Sequence, residues 1–347
     1  MARASSTRRQ ALALLSLLAL GCSTNQNLVL IGGEPTNPAD VDRAPLDLLP
    51  TGALVLGTLD AAALFRSSAA GDVGRIINNV VPVGREANFD AQRDVQRVYG
   101  AVYAMQGADF VAVVQGTFDL LALENAAAAR AQTPSGAPLV VTQYGDKRLY
   151  TVANVGFVPL TNHTILSGNE TGMRRALDQL RYRQGSGIPD WMRELLEQVV
   201  APPPAPGTAP APGAKPAFAM VGDVAGQGVI AAAGDRLPFL AGLGMMRVLG
   251  NFEPPGMNVV GSLTYADEET AKVGSERLSD VQKLAYLASL MSTWGFGGRM
   301  PDMEVQRQGT NVSFATELDT GLMSIMLRAI ADVLSPTKGS PPTFWGG

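Results

Sequence analysis

Residues 98–118 read VYGAVYAMQGADFVAVVQGTF and contain two apolar runs of strand length, 98–105 and 110–118, separated by a short segment with one glycine. A connection of four residues that includes glycine is typical of a β-hairpin. Asp119 follows directly and can cap a helix by accepting a backbone N–H bond, which predicts a helix over residues 119–131. The stretch therefore predicts two antiparallel strands that lead into a helix.

The same succession of strands and helices continues along the chain. Further strands are predicted at residues 53–59, 139–144, 148–152, 164–166, 218–224, 258–265, 303–308 and 312–318. Further helices are predicted at residues 61–65, 170–182, 191–200, 237–249, 267–293 and 321–334. We therefore predict an α+β fold in which antiparallel hairpins pack against amphipathic helices.

Two parts of the sequence resemble each other at a constant separation. The segments TNHT (161–164) and ETGM (170–173) correspond to TNVS (310–313) and DTGL (319–322), a shift of 149 positions. We interpret this as an old duplication, so that the body consists of two related halves. The alternative is that both are ordinary strand-to-helix junctions, at which an acidic residue and threonine are favoured anyway.

Composition suggests the boundaries of the segments. Residues 201–216 are almost entirely Pro, Ala and Gly, which favours an extended linker; the alternative is a surface loop within one domain. The predicted order is a signal peptide at 1–21, a tether at 22–51, a first half at 52–200, the linker, a second half at 217–335 and a loose tail at 336–347.

The first 22 residues form three zones. Arg3, Arg8 and Arg9 occur without any acidic residue, residues 11–20 are apolar apart from one serine, and Gly21 is small. This is the layout of a secretory signal peptide, and its apolar run is too short to cross a bilayer. The signal ends at the only cysteine in the chain.

The stretch LALGC (18–22) resembles the lipobox of bacterial lipoproteins, although Ala19 and Leu20 reverse the usual order of a large and a small residue. The resemblance implies that Cys22 carries diacylglycerol and that the signal is cleaved before it. Because Ser23 follows rather than Asp, the resemblance also implies a location at the outer membrane, facing the periplasm. The segment TRRQ (7–10) resembles a twin-arginine export signal; the alternative for Cys22 is an unmodified thiol.

The charge of the body limits its partners. Cleavage before Cys22 removes three of the 27 basic side chains and none of the 31 acidic ones, so the mature chain is more acidic than the net −4 of the whole sequence. An acidic body argues against binding nucleic acid and against electrostatic adhesion to anionic lipid.

The sequence contains few of the residues and motifs that usually carry out catalysis. With Cys22 committed to lipid, no thiol remains, and His163 is the only histidine; we expect a solvated or structural role for it. Asp40 and Asp42 form an Asp-x-Asp pair without the remaining ligands of a calcium loop, so we expect a solvated pair. The GQGVIA segment (226–231) imitates a dinucleotide fingerprint, but glycine and proline interrupt the helix that it should begin. We predict no catalytic, metal-binding or cofactor-binding residue.

The basic side chains of the helix at 170–182 and of its neighbourhood could form a patch for a phosphate or lipid head group; a solvated helix face is the alternative. They are Lys147, Arg148, Arg174, Arg175, Arg181 and Arg183.

The sequence favours a lipid-anchored envelope protein with a non-catalytic binding or assembly role. Its expected partners are the membrane, through the lipid anchor, and an envelope protein. The competing hypothesis is an envelope hydrolase that uses only carboxylates, because such groups meet in space rather than in sequence. A third hypothesis, a carrier of an apolar ligand, predicts an elongated apolar cavity.

Overall fold

The computed structural model describes residues 37–68, 70–71, 73–74, 85–104, 109–129, 138–182, 187–200, 216–227, 238–291, 302–321 and 323. The signal peptide, Cys22, nearly all of the linker, most of the final predicted helix and the tail lie outside the described residues. Those predictions stay predictions.

The described residues contain twelve β-strands and seven α-helices. The strands are β1 (Val55–Asp60), β2 (Val95–Ala104), β3 (Asp109–Gly116), β4 (Val140–Tyr144), β5 (Lys147–Val152), β6 (Val155–Pro159), β7 (Thr164–Asn169), β8 (Phe218–Asp223), β9 (Leu243–Asn251), β10 (Gly256–Tyr265), β11 (Asp302–Gln308) and β12 (Asn311–Asp319). The helices are α1 (Pro38–Arg43), α2 (Ala61–Arg66), α3 (Ala91–Asp94), α4 (Leu120–Ala129), α5 (Glu170–Tyr182), α6 (Asp190–Val200) and α7 (Glu268–Met291). None of these helices is both long enough and apolar enough to cross a membrane.

All twelve strands join one antiparallel sheet in the order β11-β12-β10-β9-β8-β1-β2-β3-β7-β6-β5-β4. The α+β prediction is therefore confirmed. The first hairpin is β2–β3, with Tyr99 opposite Val113, and the other two predicted hairpins are β4–β5 and β11–β12.

The strand order repeats on the two sides of the β1–β8 pair. Moving outward, β1-β2-β3-β7-β6 on one side has the same connectivity as β8-β9-β10-β12-β11 on the other, and β5 and β4 extend the first side. This repetition agrees with the predicted relationship between two halves. Because Val55 pairs with Gly222 and Leu59 with Phe218, the halves share one continuous sheet.

Helices cover both faces of the sheet. On one face, α5, α6 and residues 41–49 pack against alternate residues of the first-half strands, such as Leu56, Val113 and Leu166. On the opposite face, α2, α3 and α4 cover the first half, and α7 covers the second. Successive strand residues point to opposite faces, so β2, β3, β5, β6 and β7 each contribute to two cores.

Residues 37–50 belong to the folded body, so the predicted tether is wrong for this part. Asn37 caps α1 by accepting a hydrogen bond from Ala39 N–H. Val41 is 2% exposed and Leu49 is fully buried, and both lie in the core beneath α5 and α6. The frequent Pro, Asn and Asp residues, which suggested an unfolded segment, instead form helix caps and turns.

Two strands differ from the sequence prediction. Residues 243–251 form β9, where a broken helix was predicted over residues 237–249. The segment pairs with β8 and β10, and Gly250 lies so close to Phe218 that a side chain would collide with its ring. Gly250, which directly follows the predicted helix, thus permits close packing within the sheet. β6 was not predicted; its proline stands at the strand end, where a missing N–H is tolerated.

Candidate functional site

A cleft of about 570 Å³ opens where β3 leads into α4. Three separate segments form it: the chain before β2, the β3–α4 connection and the turn between β6 and β7. The lining residues are Ala87, Asn88, Phe89, Arg93, Asp94, Thr117, Phe118, Asp119, Leu123, Asn162 and His163. The volume lies within the range of small-molecule sites.

The turn at residues 161–164 is held rigidly by its own hydroxyls and by α1. Thr161 Oγ1 accepts hydrogen bonds from His163 N–H at 3.0 Å and Thr164 N–H at 2.9 Å. The hydroxyls of Thr161 and Thr164 both donate to Asp42 Oδ1 at 2.6 Å. The prediction that Asp42 is solvated is therefore wrong, because this carboxylate fixes the turn that carries His163.

His163 is bonded to the backbone through one ring nitrogen, while its ring is exposed in the cleft. Its Nδ1 lies 3.0 Å from the Gly116 carbonyl oxygen, which can only accept, so Nδ1 carries a proton and donates it. In the neutral ring Nε2 is then an acceptor. The backbone also joins the strands here, since Gly116 N–H donates to His163 O at 2.9 Å. The expected structural role of His163 agrees with this geometry, and its exposed ring lines the cleft.

Asp94 is the most buried charged group of the cleft, at 8% exposure. It accepts hydrogen bonds from Arg93 Nε at 2.6 Å, Arg93 Nη2 at 2.8 Å and Asp90 N–H at 2.8 Å. Burial acts to raise the pKa of Asp94, but the bonds from Arg93 and from the Asp90 backbone outweigh it and lower that pKa below its usual value. Asp94 is therefore an ionised structural group, which is unsuited to act as a general acid.

We expect Asp94→Asn to lower the free energy of unfolding at pH 7 by about 1–3 kcal/mol, because it removes the charge that Arg93 and the Asp90 N–H stabilise. A lowered folded-state pKa stabilises the protein above the unfolded value of about 3.9 and loses this effect as the pH falls. Urea titrations should therefore show a smaller difference from wild type at about pH 3. The control is the exposed Asp40→Asn, expected to change stability by less than about 0.5 kcal/mol. An equal loss at both pH values would contradict the assignment.

The other cleft carboxylate, Asp119, caps α4. Its Oδ1 accepts a hydrogen bond from Ala122 N–H at 3.0 Å, as predicted from the sequence. The apolar part of the lining comes from Phe89 and Phe118, whose ring centroids are 6.3 Å apart. Phe118 is 5% exposed, whereas Phe89 is half-buried and adjoins the open space.

The histidine and the two carboxylates of the cleft are all engaged in structural hydrogen bonds. His163 Nδ1 is occupied by a backbone carbonyl, so the ring is not oriented by an acid as it is in a catalytic triad. Both cleft carboxylates are engaged in structural bonds. Across the residues for which a structure is described, no group of three or more His, Cys, Asp or Glu side chains is placed to hold a metal ion.

The proposed basic patch is not a free cluster of charge. Arg174 pairs with Glu170 and its guanidinium lies over the Tyr144 ring, at 5.1 Å from the centroid. Arg175 lies 4.3 Å above the Tyr103 ring and 3.7 Å from Asp109. Arg183 lies outside the described residues. The alternative was a solvated helix face, and the side chains of Arg174 and Arg175 do remain 42% and 39% exposed while pairing locally.

The dinucleotide-like segment lacks the required context. β8, the strand before it, pairs antiparallel with both β1 and β9, whereas the fingerprint belongs to a parallel βαβ unit. Gly226 lies in a turn directly after β8, with a φ of +70°.

From the sequence, His163 is expected to be solvated or structural and Asp119 to cap a helix, and the cleft that they share is not predicted. Phe89, Arg93 and Asp94 lie far from His163 along the chain and meet it only because β2, β3 and β7 are neighbours in the sheet. The local sequence feature that could have indicated the cleft is the adjacent pair Arg93 and Asp94 at the end of α3.

Comparison with known proteins finds no family model that matches the chain and no match among curated proteins. Among solved structures, the fold is similar to that of TP0453. Its crystal form I gives a TM-score of 0.46 at 13% identity, covering 83% of this chain and 96% of that chain. Its crystal form III gives a TM-score of 0.45 at 13% identity, covering 83% and 97%. At this level of identity the similarity concerns the fold alone.

Proposed function

We propose that this chain is a lipid-anchored protein of the bacterial envelope that binds a ligand or partner without transforming it. The observation that carries the binding role is the cleft at His163, which combines an open space with polar groups held rigid by structural bonds. Fixed hydrogen-bonding groups around a partly apolar hollow are typical of recognition sites.

The lipid anchor is supported by the sequence around Cys22. The described fold includes Asn37 and the residues after it, so the proposed tether comprises at most residues 22–36. Fifteen residues extend at most roughly 50 Å, which keeps the body near the membrane surface. We propose a periplasm-facing position at the outer membrane, because the residue after Cys22 is not Asp.

We expect Cys22→Ala to release the protein from the membrane fraction, or to stall it unprocessed, while the body keeps its stability. Mass spectrometry should then show no diacylglycerol on the chain. Ser23→Ala is the matched control and should remain lipidated. Unchanged membrane retention of Cys22→Ala, with no difference in mass attributable to lipid, would contradict the proposed anchor.

A hydrolase is the second candidate, because two carboxylates, Asp94 and Asp119, line the same cleft. The distinguishing measurement is turnover of a panel of ester, peptide and glycoside substrates by the mature protein. Turnover that disappears in Asp119→Asn would establish the hydrolase and refute the non-catalytic proposal. We expect no turnover, because Asp94 is held ionised and Asp119 caps α4.

The apolar carrier can be tested on the same preparation. It predicts co-purified lipid after native extraction, detectable by mass spectrometry. The polar lining at Asn162 and His163 argues against an acyl chain in this cleft, because their hydrogen-bonding groups would lose water without replacement.

A further inference from the structure

The one positive charge of the cleft lining, Arg93, is paired within the protein. Asp94 forms two hydrogen bonds with Arg93, so these two opposite charges offset each other. Asp119 stands at the amino terminus of α4, where the helix dipole and the Ala122 N–H favour its negative charge. An anionic ligand therefore finds no unpaired positive charge among these groups, whereas Asp119 keeps an exposed carboxylate that can accept hydrogen bonds from hydroxyl groups.

Besides Asp119, the groups left for a ligand are neutral donors and acceptors. Asn162 and Thr117 have exposed side chains, which can both donate and accept hydrogen bonds. In the neutral ring, His163 offers Nε2 as an acceptor, because Nδ1 donates to Gly116. Donors and acceptors are thus interspersed around one small space, a pattern that matches hydroxyl groups, which also donate and accept.

One part of the lining is apolar and aromatic. Phe89 is half-buried and packs at 6.3 Å from Phe118. The negative face of an aromatic ring attracts weakly polarised C–H groups. A ligand with a saturated ring would match both parts of the lining. Its hydroxyl groups, at the ring edge, would bond the polar side chains, and the C–H groups on its face would contact Phe89.

We infer that the cleft between residues 85–94 and the turn 161–164 binds an uncharged, polyhydroxylated ligand of the saccharide class. This inference rests on the proposed binding function and names the ligand of that site. The turn is held in place without the ligand, since Asp42 bonds Thr161 and Thr164, so little ordering is needed on binding.

The test is isothermal titration of the mature protein with three groups of probes. The first group contains neutral chito-, malto- and galacto-oligosaccharides, the second is inorganic phosphate, and the third is the diamine cadaverine. We expect at least one neutral oligosaccharide to bind and neither ion to do so. Binding of phosphate or cadaverine alone, or of no probe, would overturn the inference.

Substitutions then locate the binding. Asn162→Ala removes an unbonded exposed amide and should weaken binding about tenfold, the cost of one or two hydrogen bonds. Thr117→Val should also weaken it. Asn311→Ala is the matched control, because Asn311 occupies the corresponding position of the second half and lies outside the cleft lining. Saccharide binding that survives both cleft substitutions would overturn the assignment. If no saccharide bound, membrane attachment through Cys22 would be unaffected. The saccharide proposal and the lipid-anchor proposal can therefore be refuted separately.

Discussion

Replacing Gly172 by alanine is expected to lower the free energy of unfolding by about 3 kcal/mol or more. The added Cβ would lie 2.2 Å from the backbone oxygen of Phe110 and 2.8 Å from Asn169 Oδ1, so α5 would have to move away from β3. Alanine normally stabilises a helix by about 1 kcal/mol relative to glycine, so this expected sign is the reverse of the usual one. The measurement is the midpoint of urea unfolding of the mature chain.

The matched control for this substitution is Gly100→Ala. Gly100 lies in β2 with an ordinary φ, and a Cβ there would meet nothing within 4 Å. We expect it to be neutral or to stabilise the protein by roughly 0.5–1 kcal/mol, because alanine loses less conformational entropy on folding. Equal midpoints for Gly172→Ala and wild type would show that α5 does not lie this close to β3.

The second large effect is expected at Leu49, which is fully buried in the core beneath α5 and α6. Leu49→Ala should cost about 2–5 kcal/mol, through lost burial and the cavity that remains. Leu121→Ala is the control, because Leu121 is 70% exposed on α4, and its effect should stay within about 0.5 kcal/mol. If Leu49→Ala left the free energy of unfolding unchanged, residues 37–50 would not belong to the core and the tether prediction would stand for them.

The elements that sequence predicted well have strong local signals. β2 and β3 alternate apolar residues around a glycine-containing turn, and α5 begins and ends at the predicted residues, Glu170 and Tyr182. β9 was assigned wrongly because its glycines permit close strand packing, which only the partner strand reveals. Residues 37–50 were misassigned because their apolar side chains follow neither a helical nor a strand period and gather only against α5 and α6.

The candidate site depends on contacts that the sequence does not display. The bond from Thr161 to Asp42 joins residues 119 positions apart, and the bond from His163 to Gly116 joins residues 47 positions apart. No periodicity or spacing rule connects such pairs. His163 was noticed because it is the only histidine, but the acceptor left at its Nε2 follows from the sheet register, which places Gln115 of β3 opposite Thr164 of β7.

β1 lies in the interior of the sheet, between β2 of its own half and β8 of the other. A chain that emerges from its amino terminus forms β1 and β2 long before β8 is available. Until then one side of β1 carries unsatisfied backbone donors and acceptors, the kind of edge at which separate chains associate. The yield of native protein thus depends on how soon β8 closes that edge, and a chaperone that shields β1 would raise it without altering the stability of the finished sheet.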